Sequence, residues 1–224
     1  MKLSVSSIWS GLPEAIATEL LAEATQVSLK AGSVLFEAGE EGHGCYRLEK
    51  GALKVILTSA QGDQRILTLL TPSAVVGDLS MIDGLPRSAS VVAVSDCQLQ
   101  FISRAAFRQC AARHPEIYRY LTDLLAARLR ETDDTIAALA FLSVRGRVAR
   151  ALLELAEGLG SSTGSGEIVI PRLLSQKELA AMAGVARENV SRIISEWKRR
   201  KFLSLSGQSL KIHDKAKLEE EINW

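Results

Sequence analysis

The stretch LSQKELAAMAGVARENVSRIISEWKRRKFLSL, residues 174–205, decides the architecture of this chain. Ser175 followed by Glu178 spells a capping box, so a helix is predicted to begin at about Gln176. Leu179, Ala180 and Met182 pack inward, and Gly184 supplies a left-handed turn. A second helix follows from about Arg187 to Arg200, with Val190, Ile193, Ile194 and Trp197 on its buried face. Helix, glycine turn, helix is the spacing of a helix-turn-helix. Arg187, Glu188, Asn189 and Arg192 then project from the N-terminal half of the second helix, where a recognition helix meets base edges in the major groove. Arginine can bond guanine O6 and N7 in a bidentate way, and glutamate can accept from cytosine N4. Gln176, at the start of the first helix, is a further candidate DNA contact, and Lys198 to Lys201 suit phosphates rather than bases. Beyond them FLSLSGQSLKI, residues 202–212, turns at Ser206-Gly207-Gln208 and reads as the wing of a winged helix. An ordinary αα-hairpin shares the bare pattern. The capping box, Gly184, the Arg-Glu pair and the wing together point to double-stranded DNA.

Charge agrees with that partner. From Pro171 to Ile212 the nine basic residues are Arg172, Lys177, Arg187, Arg192, Lys198, Arg199, Arg200, Lys201 and Lys211. Glu178, Glu188 and Glu196 are the three acidic ones, an excess of six positive charges. The whole chain carries +1, so the rest holds about five net negative charges. A basic module on a mildly acidic body suits a polyanion.

Upstream of this module lies VRGRVARALLELAEGL, residues 144–159, read as a helix that runs into a glycine-serine loop over Gly158–Gly166. Before it, PEIYRYLTDLLAARLRETDDTIAALAFL, residues 115–142, contains no glycine and no second proline. Leu125, Leu129, Thr132, Ile136 and Leu139 are spaced 4, 3, 4, 3, a heptad seam. Ile117, Leu121 and Leu124 make a second apolar row that can pack on the preceding domain. A helix with two apolar faces needs two partners, its own domain and the same helix of a second copy. The polar Thr132 within the seam suits a specified register. One broad core-facing stripe is the alternative.

From about Val27 to Ile102 the texture is β: short alternating or β-branched runs punctuated by Gly51, Gly62 and Gly84, where tight turns need positive φ. An antiparallel sandwich, barrel or roll is predicted, preceded by a short helix near Leu12 to Ala24. No apolar run approaches the roughly 20 residues that span a bilayer, and the N-terminus shows no export signal, so a cytoplasmic protein without a membrane partner is expected. Cys45, Cys97 and Cys110, like His43, His114 and His213, are scattered, which argues against structural zinc or a disulfide framework. Cys97 and Cys110 read as core residues. No metal site is expected. A cupin-like enzyme on the β domain would need clustered histidines and carboxylates, and only His43 lies within that domain.

Three blocks, GDLSMIDGLPRSASVVA (77–93), LAFLSVRGRVARALLELA (139–156) and LSQKELAAMAGVARENVSRII (174–194), occur in the order and spacing of the Crp/Fnr family. The chain resembles that family from about Leu35 to Ile212. The resemblance implies an α+β chain: an N-terminal β-roll (a double-stranded β-helix like that of cyclic-nucleotide-binding domains), a long dimerisation helix and a C-terminal winged helix-turn-helix. It implies a homodimeric, non-enzymatic regulator of transcription acting at DNA sites of two-fold symmetry. The expected division is 1–115 for the effector-sensing domain, 116–142 for the dimerisation helix and 143–224 for the DNA-binding domain. The Gly158–Gly166 loop lies where relatives touch RNA polymerase, which is therefore a further partner the resemblance allows.

Physically, Gly77-Asp78-Leu79-Ser80 and Arg87-Ser88 make a plausible anion pocket, with Arg87 able to pair a phosphate through two parallel bonds. By resemblance they align with the phosphate-binding cassette, in which Asp78 holds the ribose and Arg87 and Ser88 the cyclic phosphate. Cyclic-AMP-binding members carry a longer glutamate where this chain has Asp78. Thr132 matches the threonine that contacts the purine, and Asp133 stands where the typical receptor has serine. A carboxylate presents only acceptors, so Asp133 favours a purine edge rich in donors, such as guanine N1–H and its amino group. The expected effector is cyclic AMP or cyclic GMP. Asp133 could instead pair with Arg128 or Arg130 on the helix surface, and Arg128 could link the cassette to the helix through Asp78. A family regulator with another effector, or a vestigial cassette, is the main alternative. Iron–sulphur sensing by N-terminal cysteines does not fit, because none precedes Cys45.

Overall fold

The computed structural model describes residues 11–163, 167–171, 174–207 and 209–222. The export-signal reading of residues 1–10, Arg172, residues 164–166 of the glycine-serine loop and Gln208 of the hairpin turn lie outside the described residues. The chain forms two compact units that divide between Glu131 and Thr132, with Asp63–Ile66 grouped with the second.

The first unit opens with helix α1 (Glu14–Ala22) and continues through strands β1 (Thr25–Leu29), β2 (Val34–Phe36), β3 (Gly44–Lys50), β4 (Leu53–Thr58), β5 (Gln64–Leu70) and β6 (Val75–Val76). Helix α2 (Asp78–Asp83), strands β7 (Ser90–Ala93) and β8 (Cys97–Ser103) and helix α3 (Arg104–Arg113) follow. Two four-stranded sheets, ordered β1-β8-β3-β6 and β2-β7-β4-β5, make the roll. Their pairings are antiparallel, for instance Leu48 opposite Leu99 and Leu53 opposite Ala93. Phe36, Leu53, Leu70 and Val91 from one sheet meet Leu48, Val76, Cys97 and Leu99 from the other in one buried core. Alternating burial along β7 and through Cys97–Leu99 of β8 turns one face of each strand into that core.

A second core lies on the helical side of the roll. Ile16 and Leu20 of α1, Met81 of α2, Phe107 and Cys110 of α3, and Cys45 and Ile102 of the strands enclose Ile117, Leu121 and Leu124. These last three belong to helix α4 (Ile117–Phe141), 25 residues long, and are at most 3% exposed. The predicted second apolar row is therefore a core face. All three cysteines are free and buried.

Two helices depart from the sequence expectation. Helix α2 interrupts what the pattern reads as continuous β texture; its flanking Gly77 and Gly84 adopt φ of 80° and 79°, so a single short turn fits between them. Helix α3 follows β8 without a glycine or proline to mark the change. Its one signal is Ser103, whose hydroxyl accepts from the Ala106 amide at 3.1 Å.

The second unit holds the rest of α4, then helix α5 (Val144–Leu159), strands β9 (Ser161–Ser162) and β10 (Ile168–Pro171), helices α6 (Gln176–Ala183) and α7 (Arg187–Arg199), strands β11 (Leu203–Ser206) and β12 (Ser209–Ile212), and helix α8 (Lys215–Glu220). The break before α5 is capped by Ser143, which accepts from the Gly146 amide. Strands β11-β12-β10-β9 form one antiparallel sheet, on which α7 packs through β11 and α5 through β10. Val190, Ile193, Ile194 and Trp197 are all at most 4% exposed, as the helical spacing predicts. No described helix is long and apolar enough to cross a membrane.

Candidate functional site

The cassette is assembled by two segments running alongside each other. The Arg87 amide donates to Glu40 O, and the Gly39 amide donates to Arg87 O, each at 2.8 Å. This pairing carries the Arg87 side chain inward, where it is only 5% exposed. Its guanidinium lies 4.3 Å from the centre of the Phe36 ring and donates through Nη1 to Gly77 O at 2.7 Å. Glycine is required on the other walls. A Cβ on Gly77 would stand 2.3 Å from Arg87 Nη1, and one on Gly42 would stand 3.0 Å from Arg87 Cζ. The Nε of Arg87 is buried without a partner, and among the described residues no carboxylate lies within ion-pair distance of this cation. Burial lowers its pKa from the ordinary arginine value, an effect that the neighbouring Tyr46 opposes. A buried cation short of acceptors is suited to an anion that supplies them.

Around Arg87, Ser88 is exposed and Ser80 buried, while Leu79 turns outward. Asp78 is 2% exposed, yet its carboxylate is already engaged: Arg128 Nη1 donates to both oxygens at 2.8 Å, and Arg128 Nη2 to Val75 O at 2.8 Å. The pairing of Arg128 with Asp78, rather than with Asp133, is the alternative that sequence reasoning left open. Below Asp78 the lining is apolar, including Cys45, Met81, Phe107 and Leu124. The same burial, reinforced by the Asp78 charge, pushes the Cys45 thiol up to about 12. Thr132 and Asp133 lie one turn beyond Arg128 on α4 and are exposed, as are Leu129, Ile136 and Leu139, while Leu125 is half-buried.

Sequence reasoning missed three contributors to the cradle: Phe36, Gly42 and Arg104. The Arg104 Nη2 donates to both Gly42 O and Ser80 O at 2.6 Å, tying the loop before β3 to α2. Nothing in a lone arginine after a strand announces such a contact; partners 62 and 24 residues away decide it. Among the described residues no group of His, Cys, Asp and Glu could hold a metal ion.

In the second unit both halves of the capping box form: Ser175 Oγ accepts from the Glu178 amide and Glu178 accepts from the Ser175 amide. Gly184 adopts φ 63°, the left-handed turn the motif needs. Arg187, Glu188 and Arg192 are exposed on α7, with Asn189 and Gln176 partly so. Asn189 Oδ1 accepts from Arg192 Nη2 at 2.9 Å, which aims the guanidinium along the helix face. Arg145, also unforeseen, donates to Glu196 on α7 at 2.6 Å and to Glu221 at 2.8 and 3.1 Å.

Two family models match the chain: the cyclic nucleotide-binding domain over residues 26–114 and the Crp-like helix-turn-helix domain over residues 146–221. The chain is 32% identical over 216 residues to a CRP-like cAMP-activated global transcriptional regulator of Mycobacterium tuberculosis, covering 96% of each. It is 35% identical over 190 residues to the cyclic AMP receptor protein of Thermus thermophilus, covering 84% of each. The crystal structure of a CRP/FNR-family transcriptional regulator of Thermus thermophilus superposes with a TM-score of 0.74 at 27% identity, over 88% of this chain and 98% of that one. With its cyclic-nucleotide-binding domain followed by a DNA-binding helix-turn-helix, the chain belongs to the Crp/Fnr family of transcription regulators.

Proposed function

We propose that this protein is a cytoplasmic homodimeric regulator whose grip on a palindromic operator is controlled by cyclic AMP or cyclic GMP bound in the β-roll. The observation that carries the effector reading is Arg87: a buried cation among glycines, with an unpartnered Nε and, among the described residues, no carboxylate within ion-pair distance. A cyclic phosphate would supply the missing acceptors, with the exposed Ser88 hydroxyl adding a further bond. The names of the relatives in Mycobacterium and Thermus support the same effector class.

In this proposal Gly77, Asp78, Leu79, Ser80, Arg87 and Ser88 form the phosphate and ribose side of the site. Thr132 and Asp133 meet the purine, and the stretch 116–142 dimerises through Leu125, Leu129, Thr132, Ile136 and Leu139. A ribose hydroxyl would share Asp78 with Arg128, so ligand binding and the setting of the long helix are linked through that ion pair. The ligand can shift the DNA-binding equilibrium only by its differential affinity for the two settings. Gln176, Arg187, Glu188, Asn189 and Arg192 read the operator in successive major grooves.

A second reading, another effector or none, is favoured by one observation: both oxygens of Asp78 are already satisfied. Isothermal titration of the purified protein with cyclic AMP and cyclic GMP separates the two. Saturable binding that Arg87→Gln weakens supports the cyclic-nucleotide reading; absence of heat with either nucleotide overturns it.

A further inference from the structure

Arg104 stands at the first position of α3, and its side chain reaches back under the cassette. Its backbone amide donates to His43 O at 2.7 Å, so main chain and side chain hold the same loop. Through Nη2 it draws the carbonyl oxygens of Gly42 and Ser80 onto itself, leaving them less able to repel an anion. Gly42 is the shared wall. Its α-carbon side lies against the Arg87 guanidinium and Ser80, while its carbonyl bonds to Arg104. Two cations therefore border one glycine. Among the described residues neither has a carboxylate within ion-pair distance, and both leave Nε buried and unpartnered. Within the cassette Asp78 is matched by Arg128, and Glu40, whose charge acts on Arg87, makes no ion pair with it among the described residues. Burial is the first influence lowering the Arg87 pKa and the Arg104 charge a further one, while Tyr46, Cys45 and the Glu40 carboxylate oppose them. Such an arrangement costs stability unless an anion completes it.

Resting on the effector reading above, we infer that Arg104 is a positioning residue of the anion cradle: it fixes the Gly42 wall and α2 around Arg87 and adds a second positive charge behind the phosphate. It does not itself touch the ligand. Arg104 lies outside the Gly77–Ser88 cassette and serves the phosphate half of the ligand, whatever the base.

The test uses the full chain, with inorganic phosphate as a nucleotide-free probe and cyclic AMP and cyclic GMP as the second arm. Melting temperatures are recorded in phosphate and in chloride at matched ionic strength for wild type, Arg104→Gln, Arg104→Lys and Arg87→Gln. Phosphate should raise the melting temperature of wild type. Arg87→Gln and Arg104→Gln should lose that increment, with cyclic-nucleotide affinity falling about ten-fold or more in both. Arg104→Lys, which keeps the charge but not the planar fork, should fall between wild type and Arg104→Gln. It also serves as the informative variant if Arg104→Gln does not fold. A merely structural role would lower the melting temperature in chloride yet leave the phosphate increment intact, and that result overturns the inference, as does a wild type without any increment. A phosphate increment lost in Arg104→Gln, with no cyclic nucleotide bound by wild type, keeps the inference and overturns the cyclic-nucleotide reading.

Discussion

At the scale of single residues, the cradle turns on Arg87, buried against the Phe36 ring and bonded to Gly77 O. Asp78, Arg87 and Ser88 are legible because their types and spacing match an anion cassette. That Arg87 is stacked on Phe36 and bordered by Gly42 depends on a loop some 45 residues upstream, which no local pattern records. Replacing Arg87 by Gln should weaken cyclic-nucleotide binding by about 10- to 100-fold, the scale of a lost charge-assisted hydrogen bond, as read by calorimetry. Gly77→Ala is expected to be more disruptive than its size suggests. The site has φ 80°, and the new methyl would meet Arg87 Nη1 at 2.3 Å, so both ligand affinity and melting temperature should drop. The cysteines should behave as core residues. With Cys45 pushed up to about 12 and Cys110 to about 11 by burial, the native protein should react slowly with a thiol reagent at neutral pH, whereas the unfolded chain should titrate three thiols.

At the scale of elements, capping and periodicity were readable wherever a boundary residue marked them. The Ser175–Glu178 box, the Gly184 turn and the buried row of α7 all follow from local sequence. Helix α3 was not legible because its start is continuous with β8, and the choice between strand and helix was made by Phe107 and Cys110 entering a core formed elsewhere. The Arg145 clamp is of the same kind, since it joins α5 to α7 and to the turn after α8. The Trp197 indole donates to Glu221 at 3.4 Å, and a Cβ on Gly146 would come within 2.7 Å of Glu221 O, so Glu221 is seated closely on α5. Hydrogen bonds from Arg145 hold Glu196 and Glu221 below the ordinary glutamate value of 4.5. The clamp therefore contributes fully above that value and is lost as pH falls through the depressed ones. Arg145→Ala should lower the melting temperature by on the order of 5 °C at neutral pH, with the gap to wild type closing in acid, as followed by circular dichroism. On the exposed face of α7, Arg187→Ala should abolish sequence-specific DNA binding while leaving the fold intact; undiminished specificity in a competition gel shift would contradict the recognition-helix assignment.

At the scale of the whole molecule, the proposed dimer rests on the apolar surface of the long helix. Leu129 is 63% exposed, Ile136 60% and Leu139 40%, apolar seam positions on one face of the helix, a surface of the kind that proteins tend to cover. Its heptad spacing was legible in the sequence; that the opposite face is already filled by the chain's own core required the fold. Changing Leu129 and Ile136 together to Asp should convert a dimer to a monomer in sedimentation analysis and abolish cooperative binding to paired half-sites, because the two recognition helices must reach grooves about one helical turn apart. The central claim is that the anion cradle governs DNA binding. Fluorescence anisotropy of a labelled palindromic duplex, titrated with protein at fixed salt in the absence and presence of cyclic AMP or cyclic GMP, tests it most directly. One of the nucleotides should tighten binding, and Arg87→Gln should lose this gain. Equal affinity with and without both nucleotides would contradict it.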